Sequence, residues 1–425
     1  MRRFVSRFTA VAAVLAVVPS AVAPPVAQAA GAPVRPRSVL TEMFHPDGAI
    51  TPISVTPPAG DASDLRTFGG LSATVTPVEV NGPSENRIDI VYVGDGYTEA
   101  DLAAYAAHVS ASWDVLRTRE PFLSYRSLFN VWRVDVVSAV SGVSGDPTPD
   151  VVRDTPLGMA YWCAGLERLL CADIERVRAF ASLAPDADQI AAVANSPKYG
   201  GAGYTEDEVV TFSGGHSAGP EIFPHELGHS LGDLADEYPY WAVPGDGSTY
   251  NGPDPAAVNV TKFDGEQITS AQKKWWQWLG APTPDGGDIG MFEGGNYTEI
   301  GIYRPSDNSL MRTLRRQFNA VSREKMVQSF YATVRPVDAA SPAPGPVDRS
   351  ATVSLDLIGV PLSVRWFVDG REVEAWRDRT SVDLAGLAGG AHHLAARVVD
   401  QTSWVRDADY RATYLTQQLD WQVRA

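Results

Sequence analysis

The chain is poor in cysteine and in positive charge. Two cysteines among 425 residues cannot form a network of disulfides, which excludes the small disulfide-rich scaffolds. Lysine and arginine total 35 against 51 aspartates and glutamates, for a formal net charge of −16. A nucleic-acid-binding protein would need a basic face, so this class is excluded as well. The length is sufficient for two or three domains with buried cores.

Long apolar runs are absent after the N-terminus, so no membrane span is predicted. The N-terminus itself begins with the basic stretch MRRFVSRF and continues with TAVAAVLAVVPSAVA, which is too short to cross a bilayer. Ala27-Gln28-Ala29 then supplies a cleavage site of the small-x-small type. These features predict a signal peptide over residues 1–29, with an uncleaved anchor as the alternative. We therefore expect a secreted, extracellular protein.

The two cysteines, Cys163 and Cys171, are expected to form a disulfide in an exported protein, the alternative being two buried thiols. Eight residues of unbroken helix would hold them about 12 Å apart, beyond the reach of a disulfide. If they are bridged, the chain must bend near Gly165.

The chain divides by composition into several regions. Residues 30–85 are rich in Pro, Gly, Ser and Thr and contain short β-prone runs, which fits a β-rich N-terminal segment or a propeptide. From residue 86 the pattern changes: RIDIVYV predicts a buried strand, and Thr98 with Asp101 predicts a capping box before an amphipathic helix. This predicts an α/β domain over residues 86–335. Further strands are predicted at FNVWRVDVVSAV, DQIAAVAN and EVVTFSGG, and helices at residues 166–183 and 321–333.

A Pro/Ala-rich stretch at residues 336–348 predicts a linker between domains. Beyond it, residues 349–425 alternate apolar and polar positions at strand spacing, with turn residues between the runs. We therefore expect an all-β sandwich of the size of an immunoglobulin or fibronectin type III domain.

The stretch HELGHSLGDLADEY, residues 225–238, carries the most specific chemistry in the chain. His225 and His229 are four residues apart, so on a helix both imidazoles face the same side and can reach one ion. Zinc is the ion that most often uses this arrangement, and Glu226 then serves as the general base for a water molecule. The alternative is a helix whose histidines make only ordinary hydrogen bonds.

A catalytic zinc usually has three protein ligands, so one more is needed. A straight helix would place Asp236 about 10 Å along the axis from His229, which is too far. The helix must therefore break near Gly232 and Asp233. Asp236 is then the favoured third ligand, with Glu237 as the alternative, while Asp233 is expected to end the helix.

The same stretch resembles the active-site segment of the IgA-protease-type zinc metallopeptidases, the family numbered sixty-four among metallopeptidases. Other blocks of the chain resemble segments of the same family in the same order, and together they cover most of residues 85–335. These blocks are IDIVYVGDGYTEADL, PFLSYRSLFNVWRVDVVSAVSGVS, NSPKYGG, the KWW patch and FEGGNYTEIGIYRPSDNSLMR. The resemblance implies a metzincin-like zinc endopeptidase with one catalytic Zn²⁺. It further implies that His225, His229 and an acid of the DEY segment hold the metal, and that Met311 lies in a turn beneath it.

Several other residues are weaker candidates. Tyr238 and Tyr303 can donate a hydrogen bond to an oxyanion, or can simply pack. His216 lies in a glycine-rich loop, at the cleft rim or on the surface. EVVTFS is either the edge strand that pairs with an extended substrate or an ordinary edge strand. Asn259 and Asn296 begin glycosylation sequons.

The sequence thus predicts a secreted zinc endopeptidase that acts on protein or peptide substrates. The alternative from another class is a non-catalytic secreted protein with a structural or vestigial metal site. In that case the C-terminal sandwich would make the functional contact, with a cell surface or a polymer.

Overall fold

A computed structural model of the protein describes residues 39–55, 72–240 and 247–424. The predicted signal peptide, residues 1–29, lies outside these ranges. Within them, no helix combines the length and the apolar character needed to cross a membrane.

Up to residue 333, the described chain is a mixed α/β structure. Its strands are β1 Val39–Phe44, β2 Ile50–Val55, β3 Ala73–Glu79, β4 Ile88–Asp95, β5 Phe129–Val136, β6 Gln189–Ala194, β7 Gly201–Tyr204, β8 Val209–Ser213, β9 Phe292–Gly295 and β10 Thr298–Arg304. Its α-helices are α1 Leu102–Arg117, α2 Ile174–Ala181, α3 Ile222–Ser230, α4 Gly265–Ala271 and α5 Ala320–Thr333.

Six of these strands form the central sheet, in the order β3-β5-β4-β6-β8-β7. The four inner strands run parallel, whereas the two outer strands, β3 and β7, are antiparallel to their neighbours. Strand β4 is buried along its whole length, as its β-branched run predicts.

The two faces of the sheet bury separate hydrophobic clusters. Ile90 and Tyr92 pack on one face with residues of α1, α3 and α5, while Val91 and Val93 pack on the other face with residues of α2. Alternate residues of a strand point to opposite faces, so one strand contributes to both cores. The predicted capping box of Thr98 and Asp101 is present at a 3-10 turn that leads into α1.

Strands β1 and β2 form an antiparallel hairpin that is a sheet of its own. Strand β1 nevertheless lies beside β7, the edge strand of the central sheet. The predicted N-terminal segment, 30–85, is therefore not a single unit in its described part, because β3 is hydrogen-bonded into the central sheet and the hairpin is not.

Three local predictions differ from the structure. The helix expected over residues 166–183 is confined to α2, because residues 166–173 form the loop that carries the disulfide. The segment EVVTFS forms β8, which lies between β6 and β7 and is not an edge strand. The edge strand, β7, reads GAGY and has too little β-branched or alternating character to be recognised from the sequence.

Cys163 and Cys171 form the predicted disulfide, with their Cα atoms 6.1 Å apart. The chain bends between them as expected, since Ala164 and Gly165 both have positive φ.

The remainder of the chain forms two further sheets. Its elements are β11 Val337–Ser341, β12 Gly345–Asp348, β13 Thr352–Leu357, β14 Leu362–Val368, β15 Arg371–Glu372, β16 Ser381–Asp383, β17 His392–Asp400, α6 Ala408–Thr413 and β18 Thr416–Arg424. The sheets have the orders β11-β13-β16 and β12-β18-β17-β14-β15. They share one hydrophobic cluster, in which Trp366 and Trp421 are fully buried.

The stretch predicted as a linker, residues 336–348, differs from the prediction because it contains β11 and β12. Strand β12 lies at the edge of its sheet, where a proline such as Pro346 is tolerated. Two buried contacts join this region to the preceding one. Arg87 makes two hydrogen bonds to the carboxylate of Asp338, and Asp400 accepts hydrogen bonds from the hydroxyls of Tyr125 and Tyr331.

Candidate metal centre

Helix α3 presents both histidines of the HELGH motif to one point. The Nε2 atoms of His225 and His229 lie 3.1 Å apart. Each Nδ1 faces a backbone carbonyl, that of Leu310 at 2.9 Å for His225 and that of Leu234 at 2.7 Å for His229. A carbonyl only accepts, so each Nδ1 carries the proton and donates it. In the neutral form of each ring, Nε2 then keeps its lone pair, and the two Nε2 atoms face one another as two metal ligands would.

The chain turns sharply after α3, as the sequence predicts. The helix ends at Ser230, and Asp233 adopts a left-handed conformation with φ 48°. At Gly232 a Cβ atom would lie 2.6 Å from the carbonyl oxygen of Gly228, so only glycine fits there. Asp233 itself points outward and pairs with Lys325 at 2.9 Å. Its predicted role at the end of the helix is confirmed, and it is not part of the metal centre.

The turn returns Asp236 to the histidines. Its Oδ1 lies 3.4 Å from Nε2 of His225 and 3.3 Å from Nε2 of His229. Its Oδ2 accepts a hydrogen bond from the hydroxyl of Tyr297 at 2.6 Å. The carboxylate is therefore held with one oxygen directed at the point where the two imidazoles meet.

Glu237 faces away from this point. Its carboxylate accepts hydrogen bonds from Ser309 Oγ at 2.7 Å, Asn259 Nδ2 at 3.0 Å and Asn319 Nδ2 at 3.1 Å. Burial raises its pKa. The structure thus brings Asp236, and not Glu237, to the histidines, while Glu237 holds the segment in place.

Asn259 stabilises the same segment. Its side chain accepts a hydrogen bond from the backbone N–H of Ala235 and donates one to the carbonyl oxygen of Ala235. Because Asn259 is fully buried, the glycosylation sequon that begins at this residue does not mark an accessible site.

A fourth group, not expected from the sequence, completes the cluster. Glu42 of β1 places Oε2 2.8 Å from Nε2 of His225 and 3.9 Å from Nε2 of His229. Its Oε1 accepts a hydrogen bond from the Tyr238 hydroxyl at 2.6 Å. One potential ligand atom each from Glu42, His225, His229 and Asp236 lie within 4.8 Å of one another. These four residues can hold a metal ion.

Glu226 lies next to this cluster and is almost completely buried. Its Oε1 finds no hydrogen-bond partner among the described residues. Its carboxylate packs against the backbone of Gly203 in β7, where a Cβ atom would come within 1.9 Å of it. Burial, reinforced by the neighbouring Glu42 carboxylate, raises the pKa of Glu226 to about 8.

The electrostatics of the cluster favour a cation. Burial alone would lower the pKa of His229, but the carboxylate of Asp236 raises it to about 9. Burial also opposes ionisation of Asp236, yet His229 and His225 hold the pKa of Asp236 well below its usual range. Three carboxylates and two imidazoles in one buried volume create a demand for positive charge. A divalent cation on the free Nε2 atoms and the carboxylate oxygens would satisfy it, so the residues fit a metal of the zinc type.

Met311 lies against the helix between the two histidines. It is fully buried, and its Sδ occupies the space that a side chain at Gly228 would need. Its carbonyl oxygen accepts a hydrogen bond from the backbone N–H of Glu237 at 2.7 Å. Met311 thus supports both the helix and the segment that returns Asp236.

The remaining sequence candidates lie in different places. Tyr238 is at the cluster, through its hydrogen bond to Glu42, whereas Tyr303 lies on β10, where its backbone pairs with Thr261. His216 is half-buried and packs against Tyr199 with the two rings tilted. A cavity of about 290 Å³ opens at the cluster, and Tyr238, Tyr303 and His216 are not among the described residues that line it. That cavity is lined in part by Glu42, Gly203, His229, Asp236, Asn296 and Tyr297.

Tyr297 and Glu42 are site residues that the sequence did not reveal. Tyr297 lies beside the Asn296 sequon and carries no pattern of its own. Glu42 is separated from His225 by 183 positions.

The model of the IgA peptidase M64 family matches residues 76–285 and 284–330, which is more than half of the chain. The chain belongs to the IgA peptidase M64 family. The resemblance seen in the sequence is therefore confirmed, and membership supports a peptidase that acts on protein substrates. No curated protein matches the chain. His225, His229 and Asp236 lie within the region matched by the family model, whereas Glu42 lies outside it.

Proposed function

We propose that the protein is a secreted zinc-dependent endopeptidase with a metzincin-like catalytic domain. The observation that carries the proposal is the geometry of His225 and His229, whose Nε2 atoms meet while both Nδ1 atoms donate to carbonyls. Asp236 is the proposed third ligand, supported by its Oδ1 distances to both rings. Two histidines and one carboxylate form a known ligand set of catalytic zinc.

A bound zinc ion would supply an electrophile that acidifies water and polarises the scissile carbonyl. Glu226 is the proposed general base, since it follows His225 in the chain and its Oε1 has no hydrogen-bond partner among the described residues. As a carboxylate it can take a proton from water and return it to the departing amine. Tyr297 would hold Asp236 in register through its hydrogen bond.

The edge strand β7 is the proposed binding site for an extended substrate. In this arrangement the backbone of a polypeptide would pair with β7, whose residue Gly203 touches Glu226. The scissile bond would then be delivered to the general base and the metal together. The two C-terminal sheets, which we propose to be a sandwich of the immunoglobulin or fibronectin type, would contact a surface or a polymer.

A second function has a specific observation in its favour. The cluster contains four protein groups, and a zinc site closed by four protein ligands is typical of a structural role. The protein would then be a non-catalytic secreted binding protein.

The two functions are distinguished by metal content and hydrolysis. Purified protein should hold about one zinc per chain and hydrolyse quenched fluorescent casein in a chelator-sensitive way. Glu226→Gln should keep the zinc and lose about 10²–10⁴-fold in kcat, because only the proton transfer is removed.

Asp233→Asn is the matched control, since it changes an exposed carboxylate of the same segment that pairs only with Lys325 among the contacts described. It should behave as the wild type. The endopeptidase proposal is wrong if the zinc-loaded protein and its Glu42 variants, considered next, cleave no peptide of a broad library.

A further inference from the structure

Strand β1 occupies the position expected for a substrate. It lies beside β7, and the hydroxyl of Thr41 donates a hydrogen bond to the carbonyl oxygen of Gly203 at 2.6 Å. Leu40, Thr41 and Glu42 form part of the wall of the 290 Å³ cavity, together with His229 and Asp236. An extended polypeptide could not pair with β7 while β1 is in place.

Glu42 also occupies the reaction centre itself. Its two carboxylate oxygens are divided between Nε2 of His225, at 2.8 Å, and the hydroxyl of Tyr238, at 2.6 Å. A tetrahedral centre formed at a scissile carbonyl also presents two oxygens, one toward the metal and one toward hydrogen-bond donors. The Glu42 carboxylate has a similar two-sided arrangement, with one oxygen at the histidines and one at a hydrogen-bond donor.

The burial of the site would slow turnover in this arrangement. His225 is fully buried, and Glu226 is 4% exposed. Hydrolysis requires water and a polypeptide to reach the same point. With Glu42 in place, its carboxylate fills space beside the histidines that a scissile carbonyl would need.

Glu42 lies outside the part of the chain that carries the other three clustered residues. Three of the four clustered residues lie in the region that the family model matches, and Glu42 precedes that region. The β1–β2 hairpin has its own pairing and is not hydrogen-bonded into the central sheet as a strand. The three proposed ligands thus lie within the region matched by the family model, and the fourth group comes from a strand that precedes it.

We propose that residues 39–44 are an inhibitory segment, in which Glu42 occupies the catalytic centre and β1 blocks the substrate edge of β7. This inference rests on the proposed function, and it also accounts for the fourth group in the cluster. The enzyme would be latent with the segment bound and active when the segment leaves.

The test uses the full chain with Glu42→Ala and Glu42→Gln. Both variants should cleave quenched fluorescent casein at least tenfold faster than the wild type, because the carboxylate no longer holds β1 over the site. Glutamine is close in shape to glutamate, so Glu42→Gln tests the same prediction if Glu42→Ala fails to fold. Asp47→Asn is the matched control, since Asp47 is an exposed carboxylate in the turn of the same hairpin. It should have the wild-type rate.

Cobalt binding gives a readout that does not depend on catalysis. Titration of the metal-free proteins with Co²⁺, followed by visible absorption, should show at least a tenfold weaker affinity for Glu42→Ala. Its spectrum should also change as water replaces a carboxylate.

The outcomes separate this inference from the proposed function. A wild type that cleaves casein as fast as both Glu42 variants would overturn the inhibitory segment and leave the endopeptidase intact. A fall in both cobalt affinity and hydrolysis in the Glu42 variants would make Glu42 a permanent ligand, which also overturns it. If Glu42→Ala binds Co²⁺ more weakly but neither the wild type nor any variant hydrolyses casein, both the endopeptidase proposal and the inference are overturned.

Discussion

Asp236 and Glu237 are adjacent in the chain, yet their carboxylates serve different sites. Asp236 directs Oδ1 at the histidines, at 3.3 and 3.4 Å, while Glu237 is bound by Ser309, Asn259 and Asn319. One residue thus completes the candidate metal centre and the next anchors the loop that carries it. The predictions for the two residues differ accordingly.

Asp236→Asn should weaken zinc binding by at least about tenfold, or 1.4 kcal/mol, because a neutral amide replaces the anionic ligand. Hydrolysis should fall with it. Zinc affinity can be measured by competition with a chromophoric chelator. Asp233→Asn should leave the affinity unchanged, and an equal effect of the two substitutions would contradict the assignment of Asp236.

Glu237→Gln should destabilise the protein by about 2–3 kcal/mol. The glutamine NH₂ group would face Ser309, Asn259 and Asn319, which donate hydrogen bonds to the carboxylate of Glu237. The variant should still bind one zinc when folded, since the Glu237 carboxylate does not face the histidines. Chemical denaturation and metal analysis of the same sample measure both effects. Loss of zinc without loss of stability would instead favour Glu237 as the ligand.

Gly203→Ala should reduce kcat by about 10²-fold while zinc content is retained, because the added Cβ would lie 1.9 Å from the Glu226 carboxylate and displace it. The substitution leaves the three proposed ligands untouched. Gly386→Ala is a suitable control, since a Cβ there meets nothing within 4 Å. Unchanged kinetics in Gly203→Ala would argue against Glu226 as the base.

The buried pair of Arg87 and Asp338 should make stability depend on acid pH. Their side chains are 2% and 9% exposed. Burial opposes ionisation of Asp338, but the hydrogen bonds from Arg87 hold its pKa below the usual range. An acid with a lowered folded-state pKa stabilises the protein above its unfolded pKa, near 3.9, and loses that contribution as the pH falls through the folded value.

Asp338→Asn should therefore cost about 3 kcal/mol at pH 7, because it leaves a buried guanidinium unpaired. The difference from the wild type should shrink below about pH 4. Thermal unfolding of both proteins from pH 7 to pH 3 measures it. A difference that stays constant over this range would show that the Asp338 charge is not the cause.

Local patterns in the sequence predicted much of the central sheet and of the site. The β-branched run of β4, the capping box before α1 and the last helix, α5, depend on neighbouring residues, and all three are present. The spacing of His225 and His229 places both on one face of α3. The glycine after them, together with the distance argument, predicts the turn that returns Asp236.

Other features did not follow from local patterns. Strand β7 is glycine-rich, and its glycines are explained only by Glu226 and Ile222, which pack where side chains would be. Residues 336–348 were predicted as a linker from their composition, but β12 within them pairs with β18. Composition does not reveal that a distant strand is available for such pairing.

The chain's periodicity and motif spacing therefore specify the histidine pair, its glutamate and the helix that holds them, because helix geometry relates residues three or four positions apart. They do not specify which distant groups approach that helix. Glu42 and Tyr297 reach the cluster only after the sheets have packed. Contacts between residues so far apart leave no periodic trace, since they depend on the register and order of the intervening strands. Whether the centre is open to substrate or closed by Glu42 is consequently a property of the folded molecule.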